Sequence, residues 1–300
     1  MRMVGLCGFL DPTCLSNQLQ VKYYVVEDVV VFWGIVFMKI VDWKQQSTAN
    51  CSYSTTTGNV KVIENFYMPQ LKKHRRVWIY LPPDYDMSNR RYPVLYMHDG
   101  QNLFDQATSH VGEWHVDKTL DRLFYDNILP GLIVVGIDNG QESRFDEYIP
   151  WKKGSHYACF LMHTLKPFID KQFRTLAGRE YTGIMGSSLG GLISLYIGAK
   201  YQNIFSKIGA VSPAMYFAGD SFSGVSKRFD MRIYMDVGTR ENLPYVSATQ
   251  YADDVWKVYF QFICAGFTNE EMRLIVEKDA DHEEAAWSWR FASTVQWMYC

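Results

Sequence analysis

The stretch YTGIMGSSLGGLISLYIGAK, Tyr181 to Lys200, passes from a short apolar run into a helical pattern with only serine, leucine and glycine at the junction. A chain reverses that abruptly only in a sharp strand-to-helix turn, so the segment calls for a sheet whose strands feed directly into covering helices. The residues two before and two after the apex of such a turn come so close that a Cβ would clash, and glycine is needed at both. Ser188 has Gly186 and Gly190 at those positions, whereas Ser187 has Met185 and Leu189. The register selects Ser188. A Gly/Ser pattern alone also fits a plain tight connection, but its place between strand and helix favours an exposed, reactive hydroxyl.

The rest of the chain fits that demand. NVKVIENF and RRVWIYLPP alternate apolar and polar residues, as half-exposed strands do, while YPVLYMHD (92–99) and GLIVVGID (131–138) are apolar throughout, as strands covered on both faces are. Helical spacing follows in EWHVDKTLDRLF and in 156–173, where Pro167 predicts a bend. Strands at KIGAVS, 231–238 and 272–279, a helix over 246–265 and a closing helix with Trp287, Phe291, Val295 and Met298 on one face complete the pattern. Repeated strand–helix alternation predicts an α/β fold, a mostly parallel sheet with helices on both faces. With no composition break, 58–300 reads as one catalytic domain and 1–57 as an N-terminal extension.

Three hundred residues, 48% of them hydrophobic, suffice for a large core, and a net charge of −2 gives no reason to expect nucleic acid. The basic run Lys72–Arg76 reads as a solvated loop. Val29–Met38 is apolar but far short of the about 20 residues that span a membrane. Glu27 and Asp28 stand where a signal peptide wants positive charge, so an extra strand or helix is the preferred reading, with a start at Met38 as a second. Six cysteines without CxxC pairing read as reduced thiols and point to the cytoplasm.

A serine hydroxyl attacks carbonyls only when a histidine takes its proton and a carboxylate orients that histidine. On this topology the histidine follows the last strand, and His282 is the sole histidine beyond Ser188. His98, beside Asp99 at an early strand end, comes too soon and reads as structural. For the acid, Glu241 in the loop beyond Gly238 is preferred to Asp236, which still lies in the strand pattern. The amide of Leu189 and that of Gln101, in the loop after YPVLYMHD, are the candidate oxyanion donors. Asp279, Asp281, Glu283 and Glu284 surround His282, but one histidine with no partner at ligand spacing predicts no metal.

The segments RRVWIYLPPDY, YPVLYMHDGQNLFD, GEWHVDKTLDRL, MGSSLGG, AVSPAMYF, DVGTRE and DHEEAAW, in this order, resemble a family of α/β-hydrolases that includes esterase D, enterochelin esterases, and feruloyl and acetyl-xylan esterases. The likeness runs from Asn59 to the C-terminus. It implies an α/β-hydrolase fold, Ser188 as nucleophile, His282 as base, Gln101 and Leu189 as oxyanion donors, and no cofactor. The expected activity is hydrolysis of short acyl, aryl or carbohydrate (acetyl or feruloyl) esters; acyl transfer with the same triad and siderophore-ester hydrolysis are the alternatives. Trp114, Tyr148, Trp151 and Tyr216 are candidates for contact with a sugar or phenolic group, and neither a membrane nor a nucleic acid is an expected partner.

Overall fold

The computed structural model describes residues 39–44, 54–241 and 243–300 in full, and the backbone alone of 23–26, 29–32 and 37–38. Strands β1 (Tyr23–Val26), β2 (Val29–Phe32) and β3 (Phe37–Lys39) form a small antiparallel sheet. The apolar run thus supplies strands at both its ends, while 33–36 lie outside the described residues.

The main sheet has nine strands in the order β12-β11-β10-β9-β7-β8-β6-β5-β4. Its antiparallel end comprises β4 (Val41–Asp42), β5 (Asn59–Met68) and β6 (Lys73–Leu81). The parallel part comprises β7 (Val94–His98), β8 (Ile133–Ile137), β9 (Thr182–Ser187), β10 (Lys207–Val211), β11 (Arg232–Arg240) and β12 (Met272–Asp281). From β7 the chain moves to β8 on one side, and from β9 it proceeds to β10 on the other. The loops after β7 and β9 leave the sheet in opposite directions, which opens a crevice at their carboxyl ends, where ligands bind on sheets of this kind.

The pleat sorts the apolar residues into two cores. Val94 and Tyr96 face one core, and Leu95 and Met97 the other. Helices α1 (Val116–Tyr125) and α7 (Glu284–Tyr299) cover one face. The other is covered by α3 (Ser155–Phe160), α4 (Lys166–Gln172), α5 (Leu189–Lys200) and α6 (Ala248–Cys264). Among the described residues no helix is long and apolar enough to cross a membrane.

The structure departs from the sequence reading in five places. Lys73–Arg76, read as a solvated loop, open β6, where Arg75 pairs with buried Glu147 at 2.7 Å. Residues 139–154, a polar and aromatic stretch given no element above, hold helix α2 (Arg144–Tyr148) and a π-turn at Pro150–Gly154. Helix 156–173 absorbs Pro167 through a π-turn at Leu161–Leu165, because a wider turn accommodates a residue that lacks an N–H. Cys159 is disulfide-bonded, which corrects the reading of six reduced thiols; Cys264 and Cys300 are free.

The last departure concerns the segment before residue 58. Trp43 and Ser54–Thr57, assigned above to the extension, are tied into the main domain by two buried carboxylates. Asp105 accepts from Trp43 Nε1 (2.7 Å), Ser54 Oγ (2.6 Å) and the Thr55 amide (3.1 Å). Asp117 accepts from the amides of Thr57 and Gly58 at 2.8 and 3.1 Å. STTTG carries no hydrophobic period, so this polar attachment left no trace in the pattern. Asp105→Ala should lower the unfolding free energy by about 1–3 kcal/mol, because buried donors lose their acceptor. Chemical denaturation and exchange of the Thr55 amide measure it; no change in either would show that the strap is held otherwise.

Candidate active site

β9 ends at Ser187 and α5 begins at Leu189, so Ser188 alone makes the turn, at φ 54° and ψ −120°. That conformation costs a non-glycine residue about 1–3 kcal/mol and persists only where neighbours enforce it. The enforcement is close backbone packing. A Cβ on Gly186 would sit 2.8 Å from the carbonyl carbon of Gly190, and one on Gly191 would sit 3.0 Å from Pro213 Cβ. The Ser188 side chain is left half-buried among fully buried neighbours.

Its Oγ lies 3.0 Å from His282 Nε2, and His282 Nδ1 lies 2.5 Å from Glu241 Oε2. A carboxylate only accepts, so Nδ1 carries the proton and Nε2 is free to accept from the serine. Glu241 Oε1 in turn accepts from Ser212 Oγ (2.5 Å) and from the Gly238 amide (2.7 Å). Burial by itself would raise the Glu241 pKa, but the hydrogen bonds from His282, Ser212 and Gly238 outweigh it and hold the group below the ordinary carboxylate value. The His282 ring is boxed by Trp287, edge-on at 4.8 Å, and by Tyr251 at 5.4 Å.

Asp236, the other candidate acid, points elsewhere. Its Oδ1 meets Arg290 Nη1 at 2.9 Å and the Ser212 amide at 2.8 Å. Burial pushes its pKa up to about 6 despite the guanidinium, so above that pH the two form a buried ion pair. His98 is also accounted for: Nδ1 contacts Tyr157 Oη at 2.9 Å, and burial drives its pKa down to about 4. It is neutral at physiological pH and lies beneath the turn, against Gly186 and Gly190.

The loop after β7 closes over the same point. Asp99 sits at φ 56°, held by Arg144 (2.7 and 2.9 Å) and Asn139 Nδ2 (2.8 Å). Burial opposes its charge, but Arg144 and Asn139 prevail and keep its pKa below the ordinary value. At Gly100 a Cβ would strike Trp78 at 2.8 Å and the β8 backbone at 2.9 Å, so only glycine passes. Gln101 is pinned at both ends, its Oε1 accepting from the Asn139 amide (3.1 Å) and its carbonyl from Thr108 (2.8 Å). A Cβ on Gly190 would lie 3.3 Å from both Asp99 Oδ2 and His98 Cβ, which sets this loop against the start of α5. Among the described residues the amides of Gln101 and Leu189 have no internal acceptor.

The four residues considered for substrate contact divide evenly. Trp114 (3% exposed) packs against Trp287 and Phe291, and Tyr148 (0%) against His98 and Tyr157. Neither has surface to offer, which corrects their assignment; aromatic content alone does not separate core rings from rim rings. Trp151 is 62% exposed, with its indole N–H 3.3 Å from the Phe217 carbonyl. Tyr216 packs edge-on to Tyr251 and Tyr245, so it stands one ring away from His282. Phe145, edge-on to Phe217 with Lys152 over its ring, extends the rim.

The acidic cluster around His282 disperses: Asp281 pairs with Arg240, and Glu284 opens α7, raised to about 7 by burial and by Asp99. No metal-binding group of three is formed among the described residues. Sequence reasoning missed Ser212, Tyr251 and Trp287 as neighbours of His282 and Glu241. The short run AVSPA after a strand was a usable signal for the first; the other two read as core aromatics.

A mostly parallel sheet with a strand–serine–helix turn at its crevice is the architecture of the α/β-hydrolases. The chain belongs to the family described as "Putative esterase", whose pattern matches residues 69–298, and it is a carboxylic ester hydrolase. It is 28% identical over 243 residues to the uncharacterized protein YbbA of Bacillus subtilis, covering 75% of this chain and 93% of the relative. In fold it is similar to a ferulic acid esterase (TM-score 0.61, 18% identity, 80% of this chain and 98% of that one). It is also similar to the enterobactin esterase FES of Shigella flexneri (TM-score 0.65, 19% identity, 82% and 60%).

The two glycines around Ser188 should differ in tolerance. Gly186→Ala drives a Cβ to 2.8 Å from backbone that cannot yield, whereas Gly190→Ala meets side chains at 3.3 Å. Esterase turnover should fall about 100-fold in the first variant, where the turn itself is displaced, and clearly less in the second. Equal losses would show that the elbow is not closed by the Gly186–Gly190 contact.

Proposed function

We propose that Ser188, His282 and Glu241 act as a catalytic triad in ester hydrolysis through an acyl-enzyme. The observation that carries the reading is the continuous line from Ser188 Oγ to His282 (3.0 Å) to Glu241 (2.5 Å). Ser188 Oγ attacks the ester carbonyl as His282 Nε2 takes its proton, and the oxyanion accepts from the amides of Gln101 and Leu189. The tetrahedral intermediate collapses, and His282 returns the proton to the departing alcohol. Water then attacks the acyl-enzyme by the same route, with Nε2 as base, and releases the acid and free Ser188. Glu241 keeps the imidazole in the required tautomer and stabilises its cation without itself taking the proton.

The substrate reading is a short acyl, aryl or carbohydrate ester with an aromatic group. The rim formed by exposed Trp151 and half-buried Tyr216, Phe217 and Phe145 supports it, because flat rings offer stacking surface to a phenolic or sugar ring. The ferulic acid esterases among the structural neighbours are named for an aromatic acid, which is consistent with an aromatic acyl group.

Ser188→Ala should abolish turnover of aryl acetates with the fold intact by circular dichroism, and an active variant would remove the assignment. Glu241→Gln should reduce kcat by about 1,000- to 10,000-fold, since the imidazole then loses its tautomer-setting partner. The rate of the native enzyme should fall on acidification, because a protonated imidazole is no longer a base. His98 cannot account for such a limb, since its proton is gained only near pH 4. A flat rate between pH 5 and 8 would exclude a histidine base.

A further inference from the structure

We infer that the Ser212 hydroxyl is a positioning residue that aims the Glu241 carboxylate at His282, and that the buried Asp236–Arg290 pair serves to fix Ser212. The inference rests on the triad reading above and assigns a role to residues outside it.

The argument starts from hydrogen-bond capacity. A serine hydroxyl has one proton to donate and two lone pairs that accept. At Ser212 both acceptor positions are taken by groups that can only donate: Trp287 Nε1 at 3.1 Å and Arg290 Nη2 at 3.2 Å. The single proton therefore has one destination, Glu241 Oε1 at 2.5 Å. With the Gly238 amide at 2.7 Å on the same oxygen, Oε1 is fully engaged, and Oε2 is left to face His282 Nδ1. A hydroxyl that normally rotates to suit its neighbours is here locked in one orientation.

Everything around Ser212 reinforces the lock. The residue is wholly buried at φ 37°, its amide donates to Asp236 Oδ1 (2.8 Å), and its carbonyl accepts from Tyr251 Oη (2.6 Å). Arg290, 3% exposed, spans from Asp236 (2.9 Å) to Ser212 Oγ and is braced by the Ala286 carbonyl at 3.1 Å. A buried pair of this sort adds little net stability, and its value here lies in orientation. Asp236 balances the guanidinium, the guanidinium and the Trp287 indole orient the hydroxyl, and the hydroxyl orients the acid. Trp287 also walls the His282 ring at 4.8 Å, so one side chain disciplines both partners of the Glu241–His282 bond.

The test uses the purified full chain with p-nitrophenyl acetate as probe. Ser212→Ala and Ser212→Gly both delete the hydroxyl, but glycine relieves the positive φ and alanine does not. Both variants should lose about 10- to 100-fold in kcat, the scale of a misdirected catalytic group, with KM changed by less than about twofold. Trp287→Phe, which keeps an aromatic wall and removes one donor, should lose a smaller factor. Turnover at the native level in either Ser212 variant would overturn the inference, and so would a loss confined to Ser212→Ala, which would trace the effect to backbone strain. A rise in KM matching the fall in kcat/KM would also overturn it, because positioning of the acid acts on the chemical step. Ser188→Ala is measured in the same series. If it remains active, the triad reading itself fails; if it is inactive while both Ser212 variants match the native enzyme, only the role of Ser212 fails.

Discussion

The active-site geometry depends on two stretches of backbone being allowed to touch. With no side chain at Gly186, the end of β9 meets the backbone of Gly190 in the first turn of α5 at a separation that a Cβ on Gly186 would forbid. That contact forces Ser188 into a conformation it would not adopt freely, and the strain is offset by the packing of a fully buried strand and a largely buried helix. A relaxed turn at this point would carry the hydroxyl away from the strand ends. Loss of the contact would cost more than local stability, since His282, the Gln101 loop and the start of α5 are all arranged around that one oxygen.

A regularity of the sheet follows from the same edge. Ser188, Ser212, Glu241 and His282 are each the first residue after a strand, namely β9, β10, β11 and β12. Four adjacent parallel strands thus deliver, in spatial order, a hydroxyl, a second hydroxyl, a carboxylate and an imidazole. Parallel strands share one direction, so residues just past their ends gather along one rim without long loops to hold them. The rim is partly buried, and its charges are consequently paired: Asp236 with Arg290, Asp99 with Arg144, and Glu147 with Arg75.

Much of this was readable in the sequence because it follows from short-range sterics and periodicity. The Gly-x-Ser-x-Gly register identified the apex, and the strand–helix alternation identified the sheet. What escaped the reading depends on contacts between residues far apart in the chain. Trp114 and Trp151 are both tryptophans near charged residues, yet one is 3% and the other 62% exposed, a difference made by which helix happens to cover them. Asp105 gathers donors from Trp43, Ser54 and Thr55, some 50 to 62 positions earlier in the chain, and no local pattern announces such a partner. Ser212 was visible only as one letter of a motif, because its importance lies in five hydrogen-bond partners: Asp236 on β11, Glu241 just beyond it, Tyr251 on α6, and Trp287 and Arg290 on α7.

The division of labour between Asp236 and Glu241 turns on a single irregularity. Up to Gly238, β11 pairs residue for residue with β12, Asp236 opposite Ile275 and Gly238 opposite Glu277. The register then slips, and Arg240 pairs with Asp281. At Gly238 the strands come so close that a Cβ would lie 2.2 Å from the Ala280 carbonyl oxygen, so only glycine permits the slip. A bulge re-aims the side chains that follow it. Asp236, before the bulge, keeps the strand's alternation and faces into the sheet toward α7 and Arg290. Glu241, after it, is turned toward the rim, level with the residue that follows Asp281. The acid and the histidine meet because the same slip brings the end of β11 level with the end of β12.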